Sequence, residues 1–249
     1  MIPYIEWQTV EIGGLTLYVW GFFVALGFVL GAYAAGWKAK KSGGQAKIIY
    51  DLVVWMMIAG LVGGRLGYVL FYDPVYYLQN PLKVFEVWAG GSSIFGGFIL
   101  CVIIGALYLR RKKVNIWEYS DFAIFGLPIG LWIGRIGCFL IHDHPGTETN
   151  FFLGTQYPDG IIRHDHGLYL SLNGLILTII FFFLSKKERP PGFYIAFFSV
   201  WYGAIRFGLD FLRINDVRYV GLTPAQYLSI AMVAFGIWVF YKIRINSKN

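Results

Sequence analysis

Charged residues are scarce in this chain: they make up 14% of its 249 residues, against about 25% in an ordinary soluble domain. Cysteine is scarcer still. Cys101 and Cys138 both lie inside apolar runs and define no disulfide framework. No lysine or arginine occurs between Met1 and Thr16, so the basic n-region of a cleaved signal peptide is missing and the first apolar run is expected to be retained. No polar stretch between the apolar runs is long enough for a separate soluble domain. What is present instead is apolar surface, with 57% hydrophobic and 19% aromatic residues and a mean hydropathy of +0.58. Several runs exceed the roughly 20 residues that a helix needs to cross the hydrocarbon core. A soluble enzyme, a disulfide scaffold and a disordered chain are excluded. Expected is an all-α integral membrane protein, a single polytopic domain over residues 1–249.

Seven transmembrane helices are read from the apolar runs: Leu15 to Trp37, Ile49 to Tyr72, Ala89 to Leu109, Trp117 to Ile141, Leu168 to Leu184, Phe193 to Leu212 and Pro224 to Tyr241. The net charge of +7 would suit a nucleic-acid partner, but its distribution argues against one. Fourteen basic residues fall on one side: Lys38, Lys40, Lys41 and Lys47, then Arg110 to Lys113, then Lys186, Lys187 and Arg189, and finally Lys242, Arg244 and Lys248. Only Lys83, Arg163, Arg213 and Arg218 fall on the other. Basic residues accumulate in cytoplasmic loops, so the C-terminus is expected in the cytoplasm, the N-terminus outside, and the connector at about 142–166 in an extracytoplasmic loop.

Three arginines remain, Arg65, Arg135 and Arg206, each inside a span. A charge at bilayer depth costs roughly 2.5 to 3.5 kcal/mol on the mildest insertion scale and marks a functional site by default. All three are expected in the outer half of the membrane. Helical spacing groups Tyr202, Arg206, Asp210 and Arg213 on one face, Arg65 with Tyr68 and Tyr72, and Arg135 with Phe139 and His142. Asp210 can neutralise Arg206, either as a purely structural ion pair or as part of a site. The other two arginines have no acidic residue at their depth, and an unpaired buried guanidinium suits an external phosphate, whose oxygens it grips two at a time.

Glycines cluster at the same level: Gly63, Gly64 and Gly67 around Arg65, Gly134 and Gly137 around Arg135, and Gly90, Gly91, Gly96 and Gly97 at the start of the third span. Close helix packing explains part of this pattern. All four histidines fall in the 142–166 loop, as His142-Asp143-His144 and His164-Asp165-His166. Their spacing matches no established zinc signature, so no metal or cofactor is assigned; a general base or a polar contact to a lipid headgroup fits them better.

These motifs resemble those of the bacterial phosphatidylglycerol:prolipoprotein diacylglyceryl transferase family. The resemblance rests on Gly63-Gly64-Arg65-Leu66-Gly67-Tyr68, Val87-Trp88-Ala89-Gly90-Gly91 to Gly96-Gly97, Gly134-Arg135-Ile136-Gly137 through Gly146, Arg163-His164 to Tyr169, and Tyr202 to Arg206 and Arg213, in order along nearly the whole chain. It implies an enzyme of the bacterial inner membrane that moves a diacylglyceryl group from phosphatidylglycerol to the lipobox cysteine of a prolipoprotein. It further implies that Arg135 and Arg206 act on the leaving phosphate, with Asp143 and Asp210 in catalytic places that the family fills with glutamates. Substrate contacts are implied for Arg65, Tyr68, Gly96, Gly97, Gly137, Gly146, His164, Tyr202 and Arg213.

The sequence departs from the family at telling positions. Phe95 stands where the family has a histidine, Cys138 and Ile141 where it has asparagines, and Asp143 and Asp210 where it has glutamates. Phenylalanine cannot accept a proton, so the base is expected among the loop histidines, first His142 and then His164, with Asp143 orienting an imidazole or acting in its place. Two rivals accompany this reading. One is a related membrane enzyme with a phospholipid donor and another acceptor, or a metal-assisted phospholipid hydrolase; the other is a non-enzymatic receptor or transporter, whose site would be expected nearer the bilayer midplane.

Overall fold

The computed structural model describes residues 1–86, 90–214 and 218–246. Val87 and Trp88 of the quoted motif, Ala89, the expected start of the third span, and Lys248 lie outside the described residues. Among the described residues the α-helices are α1 (Val19–Lys41), α2 (Ala46–Phe71), α3 (Pro74–Gln79), α4 (Ile94–Arg111), α5 (Ile116–Ile141), α6 (His166–Leu184), α7 (Phe193–Leu209) and α8 (Pro224–Asn246). Among the described residues six helices are long and apolar enough to cross a membrane: α1, α2, α5, α6, α7 with the turn that follows it, and α8. The expected third span corresponds to α4, an 18-residue apolar helix ending in Arg110 and Arg111, which is not among the six.

Among the described residues, short strands depart from the all-α expectation. β1 (Ile2–Pro3), β4 (Pro145–Glu148), β5 (Thr155–Gln156) and β6 (Ile162–Asp165) form a sheet in the order β1-β5-β6-β4. The connector expected as a loop therefore folds on itself, and the N-terminal strand runs parallel to β5 at its edge. β2 (Thr9–Ile12) and β3 (Leu15–Tyr18) form a hairpin. Its two-residue turn is Gly13-Gly14, both at positive φ, the backbone that lets a tight turn follow the natural strand twist. Leu15 to Tyr18, expected in the first span, belong to this hairpin, and α1 begins at Val19.

The chain divides into two compact units. The larger comprises residues 1–38 and 120–249. Its core is an aromatic stack of Phe125, Phe181, Tyr194 and Phe198 with Leu177, drawn from α5, α6 and α7. Side chains seal the helix ends within it. Asp165 accepts a hydrogen bond from the Leu168 backbone at the start of α6, and Asp121 accepts from the backbone N–H groups of Gly192 and Ile195 at the start of α7. In a medium without water these orphan donors need such partners.

The smaller unit, residues 39–119, is built on the pairing of α2 with α4. Glycines set its spacing. A Cβ on Gly96 would sit 2.3 Å from the Gly63 carbonyl oxygen and 2.7 Å from the Gly67 Cα, so no side chain fits where the two backbones meet. Ser93 caps α4 by accepting from the Gly96 backbone and itself donates its N–H to the Gly64 carbonyl.

Candidate active site

Two clusters form in the larger unit. The first lies where α7 ends. Asp210 starts the 3-10 turn after α7, fully buried, and meets Arg206 one turn back at 3.0 Å and Arg213 at 3.8 Å. The Thr223 hydroxyl just before α8 also donates to it. Helical spacing puts Arg206 and Asp210 on one face; the chain then leaves the helix and brings Arg213 round from the other side. Arg213 is fixed there by a backbone bridge to Gly146, where a Cβ would collide with the Leu212 carbonyl oxygen at 2.8 Å and the His164 Cβ at 2.9 Å. Tyr202 and Arg135 are both close enough to Arg206 for their charges to interact with it, and Arg135 also donates to the Cys138 sulfur at 3.7 Å. His166, almost wholly buried, faces Arg206, Arg213 and Asp210.

Among the described residues this cluster gathers Arg206, Arg213 and Arg135 around the buried carboxylate of Asp210. Planar guanidinium forks bind phosphate oxygens through short, bidentate, charge-assisted hydrogen bonds.

The second cluster surrounds His142, the residue after α5. His142 Nδ1 lies 2.7 Å from the Asp165 carboxylate, with both side chains at most 2% exposed. The Tyr4 ring stacks on the imidazole at 4.2 Å between centroids. The expected helper, Asp143, is elsewhere: it pairs with His144 at 2.5 Å. His164 hydrogen-bonds the Tyr169 hydroxyl at 2.7 Å, and burial lowers its pKa below the ordinary histidine value. Gly137 is occupied in packing, since a Cβ there would meet the Phe23 Cβ at 2.9 Å and the Trp20 Cα at 3.2 Å.

In the smaller unit Arg65 is 6% exposed and is not the partnerless cation that the sequence suggests. Its guanidinium donates to the carbonyls of Lys83 at 2.7 Å, Val84 at 2.9 Å, Gly91 at 3.3 Å and Gly90, and lies 5.3 Å from the Tyr77 ring centre. Backbone carbonyls, invisible to a search for acidic residues, take the place of a carboxylate. Tyr68 stacks on Tyr72 and covers Gly91. Gly96 and Gly97 both face α2 backbone, Gly97 with its Cβ position 3.0 Å from the Gly60 carbonyl oxygen.

Sequence reasoning missed Asp165 and His166 as members of these clusters. The signal for Asp165 was present: an aspartate just ahead of an apolar run, three residues before Leu168, is a helix cap. Its contact with His142 crosses 23 positions and has no local signature.

A family model described as prolipoprotein diacylglyceryl transferase matches residues 8–242. Among curated proteins, the phosphatidylglycerol–prolipoprotein diacylglyceryl transferase of Bordetella parapertussis is 36% identical, covering 96% of this chain and 95% of its own. Relatives of the same name from Nitratidesulfovibrio vulgaris and Acinetobacter baumannii are each 33% identical. They cover 95% and 96% of this chain and 94% and 93% of theirs.

Proposed function

The chain belongs to the prolipoprotein diacylglyceryl transferase family, and we propose that it transfers a diacylglyceryl group from phosphatidylglycerol to the lipobox cysteine thiol of prolipoproteins. The observation that carries this reading is the cationic cluster of Arg206 and Arg213 on the buried Asp210, with Arg135 beside it. The substrate thiol loses its proton to a base and its sulfur bonds to the glyceryl carbon. The carbon–oxygen bond to phosphate breaks, and the electron pair leaves on glycerol phosphate. Negative charge grows on that phosphate as the bond breaks, so fixed cations accelerate the step by stabilising the transition state more than the bound lipid.

Arg135 and Arg206 grip the leaving phosphate, Asp210 holds Arg206 in place, and Tyr202 and Arg213 complete the headgroup site. A thiol near pKa of about 8.5 is mostly protonated at neutral pH, so a base is required, and His142 fills that role in place of the family histidine replaced by Phe95. In the larger unit Gly137, Gly146 and His164 shape the lipid site; in the smaller unit Tyr68, Gly96 and Gly97 contact substrate, with Arg65 holding the segment that follows α2. The helices form seven crossings of the bacterial inner membrane, with α4 as the third, the N-terminus outside and the C-terminus in the cytoplasm. Single cysteines placed near Lys41 and near Asn150 label from opposite sides of sealed vesicles in this arrangement; labelling from one side refutes it.

Complementation of a conditional transferase knockout, read as lipidation of a lipoprotein, tests the activity. Restored lipidation supports it. Phe95 and Cys138 favour one second reading, a phospholipid-dependent transfer to another acceptor; no complementation by a well-expressed protein that still releases glycerol phosphate from phosphatidylglycerol would select it.

A further inference from the structure

The imidazole of His142 is held on one side only. Nδ1 meets Asp165 Oδ2 at 2.7 Å, whereas Nε2 is buried without a hydrogen-bond partner. Neutral imidazole carries one N–H and one lone pair, and the partner of one nitrogen decides where the proton sits. Asp165 has no freedom to turn. Its Oδ1 accepts from the Leu168 backbone at 3.1 Å, capping α6, and its Oδ2 also accepts from the Tyr157 hydroxyl at 3.1 Å. That hydroxyl remains a donor, because burial, and after it the Asp165 charge, pushes the Tyr157 pKa up. Facing His142, Asp165 can therefore only accept: the proton belongs on Nδ1 and Nε2 is a bare lone pair.

The surroundings preserve that arrangement. Tyr4 stacks on the ring, while Phe139 and Tyr157 meet it edge-on at 5.2 and 5.5 Å. Besides Asp165 and Tyr157, the titratable groups on this side of the imidazole are Tyr4 and Glu6 of the N-terminal segment, which bond each other at 3.1 Å, and neighbouring Asp143, which is engaged by His144. His142 itself sits at φ +48°, a left-handed backbone that a non-glycine residue adopts at a cost and that concentrates at functional sites. An acceptor buried without a partner is a cost of the same kind. A substrate must part the rings to reach Nε2, and Tyr4 follows a strand of only two residues.

We propose that Asp165 is the positioning residue of the transfer: it fixes His142 in the tautomer whose Nε2 takes the proton from the substrate thiol, and it stabilises the imidazolium that results. This rests on the reading of His142 as the base. The proton passes from sulfur to Nε2 while sulfur bonds to the glyceryl carbon and phosphate departs; no other reactant is needed. Asp143 has no part in it.

Asp165→Asn separates positioning from structure. The amide oxygen still caps α6, so the amide nitrogen is turned toward His142 and donates to Nδ1; the imidazole proton moves to Nε2 and the acceptor is lost. The same exchange at an Asp–His pair in serine proteases leaves the geometry intact and gives the wrong tautomer. Expected is a fall in kcat on the order of 100-fold at neutral pH, the low end of general-base contributions, with KM for phosphatidylglycerol unchanged. Raising pH, which ionises the thiol directly, narrows the gap. His142→Asn gives the same loss and profile, and the double variant is no worse than either. In the nitrogen-15 spectrum of histidine-labelled wild-type protein, His142 carries its proton on Nδ1.

If His142→Asn is impaired and Asp165→Asn is not, the positioning role is overturned and the base stands. If both are fully active, the base itself is overturned. A wild-type spectrum with the proton on Nε2 overturns the proposal even if Asp165→Asn fails to fold.

Discussion

Arg65, buried, and Arg206, half-buried, are both arginines of apolar helices, and their partners make them different objects. Arg65 spends its donors on four main-chain carbonyls of the segment that follows α2. Those carbonyls are neutral dipoles fixed by the chain, so the guanidinium acts as a clasp between a helix and the stretch leaving it. Arg206 instead meets a carboxylate, Asp210, which also meets Arg213 and the Thr223 hydroxyl. The same side chain is a structural tie in one unit and, in the function proposed, a phosphate contact in the other. The hydrogen-bond partners separate them.

The comparison breaks or sharpens under substitution. The largest effect is expected from Arg206→Lys, which keeps the charge and loses the fork: kcat for lipidation falls about 100- to 1000-fold, the scale for removing one preorganised donor from a developing anion, while the folded yield is kept. Arg135→Lys behaves alike. Wild-type rates from either would place the phosphate elsewhere.

Arg65→Lys should reverse the pattern. A single ammonium cannot reach carbonyls spread from Lys83 to Gly91, and each charged hydrogen bond lost is worth roughly 1.5 to 3 kcal/mol. Thermal unfolding in detergent is expected to shift down by several degrees, with kcat of the folded enzyme nearly unchanged. A large loss of kcat at unchanged stability would make Arg65 a second anion site and erase the contrast.

The arginines and their faces were legible because a charge in an apolar run stands out and helical spacing predicts which neighbours share its side. The group of Tyr202, Arg206, Asp210 and Arg213 was readable for that reason. The carbonyl partners of Arg65 were not, since every residue has a carbonyl and only the fold brings four to one point. The hairpin at Thr9 to Tyr18 was readable in principle: its alternating residues flank a Gly-Gly turn, but the apolar residues of β3 run into α1 and pass for the start of a span. The small sheet and the His142–Asp165 contact arise from pairing between distant segments, for which sequence periodicity carries no information.

A smaller effect concerns His164. Burial lowers its pKa, so the unfolded chain binds the proton more readily than the folded one. Stability from this source is complete above the unfolded value of about 6.5 and is lost as pH falls from there through the lowered folded value. Unfolding of the wild type should therefore become easier across that acid window, and His164→Gln should flatten this part of the profile. An unchanged slope would mean that His164 does not contribute to it.

The central claim is that cations on this chain carry a phospholipid's phosphate away from a glyceryl carbon attacked by a thiol. Its most direct test incubates purified protein with phosphatidylglycerol vesicles and a lipobox peptide, and measures diacylglyceryl peptide and glycerol phosphate together by mass spectrometry. Equal amounts of the two are expected from the wild type, and both should fall in parallel for Arg206→Lys. Glycerol phosphate released without modified peptide, or equal turnover by wild type and Arg206→Lys, would contradict the account.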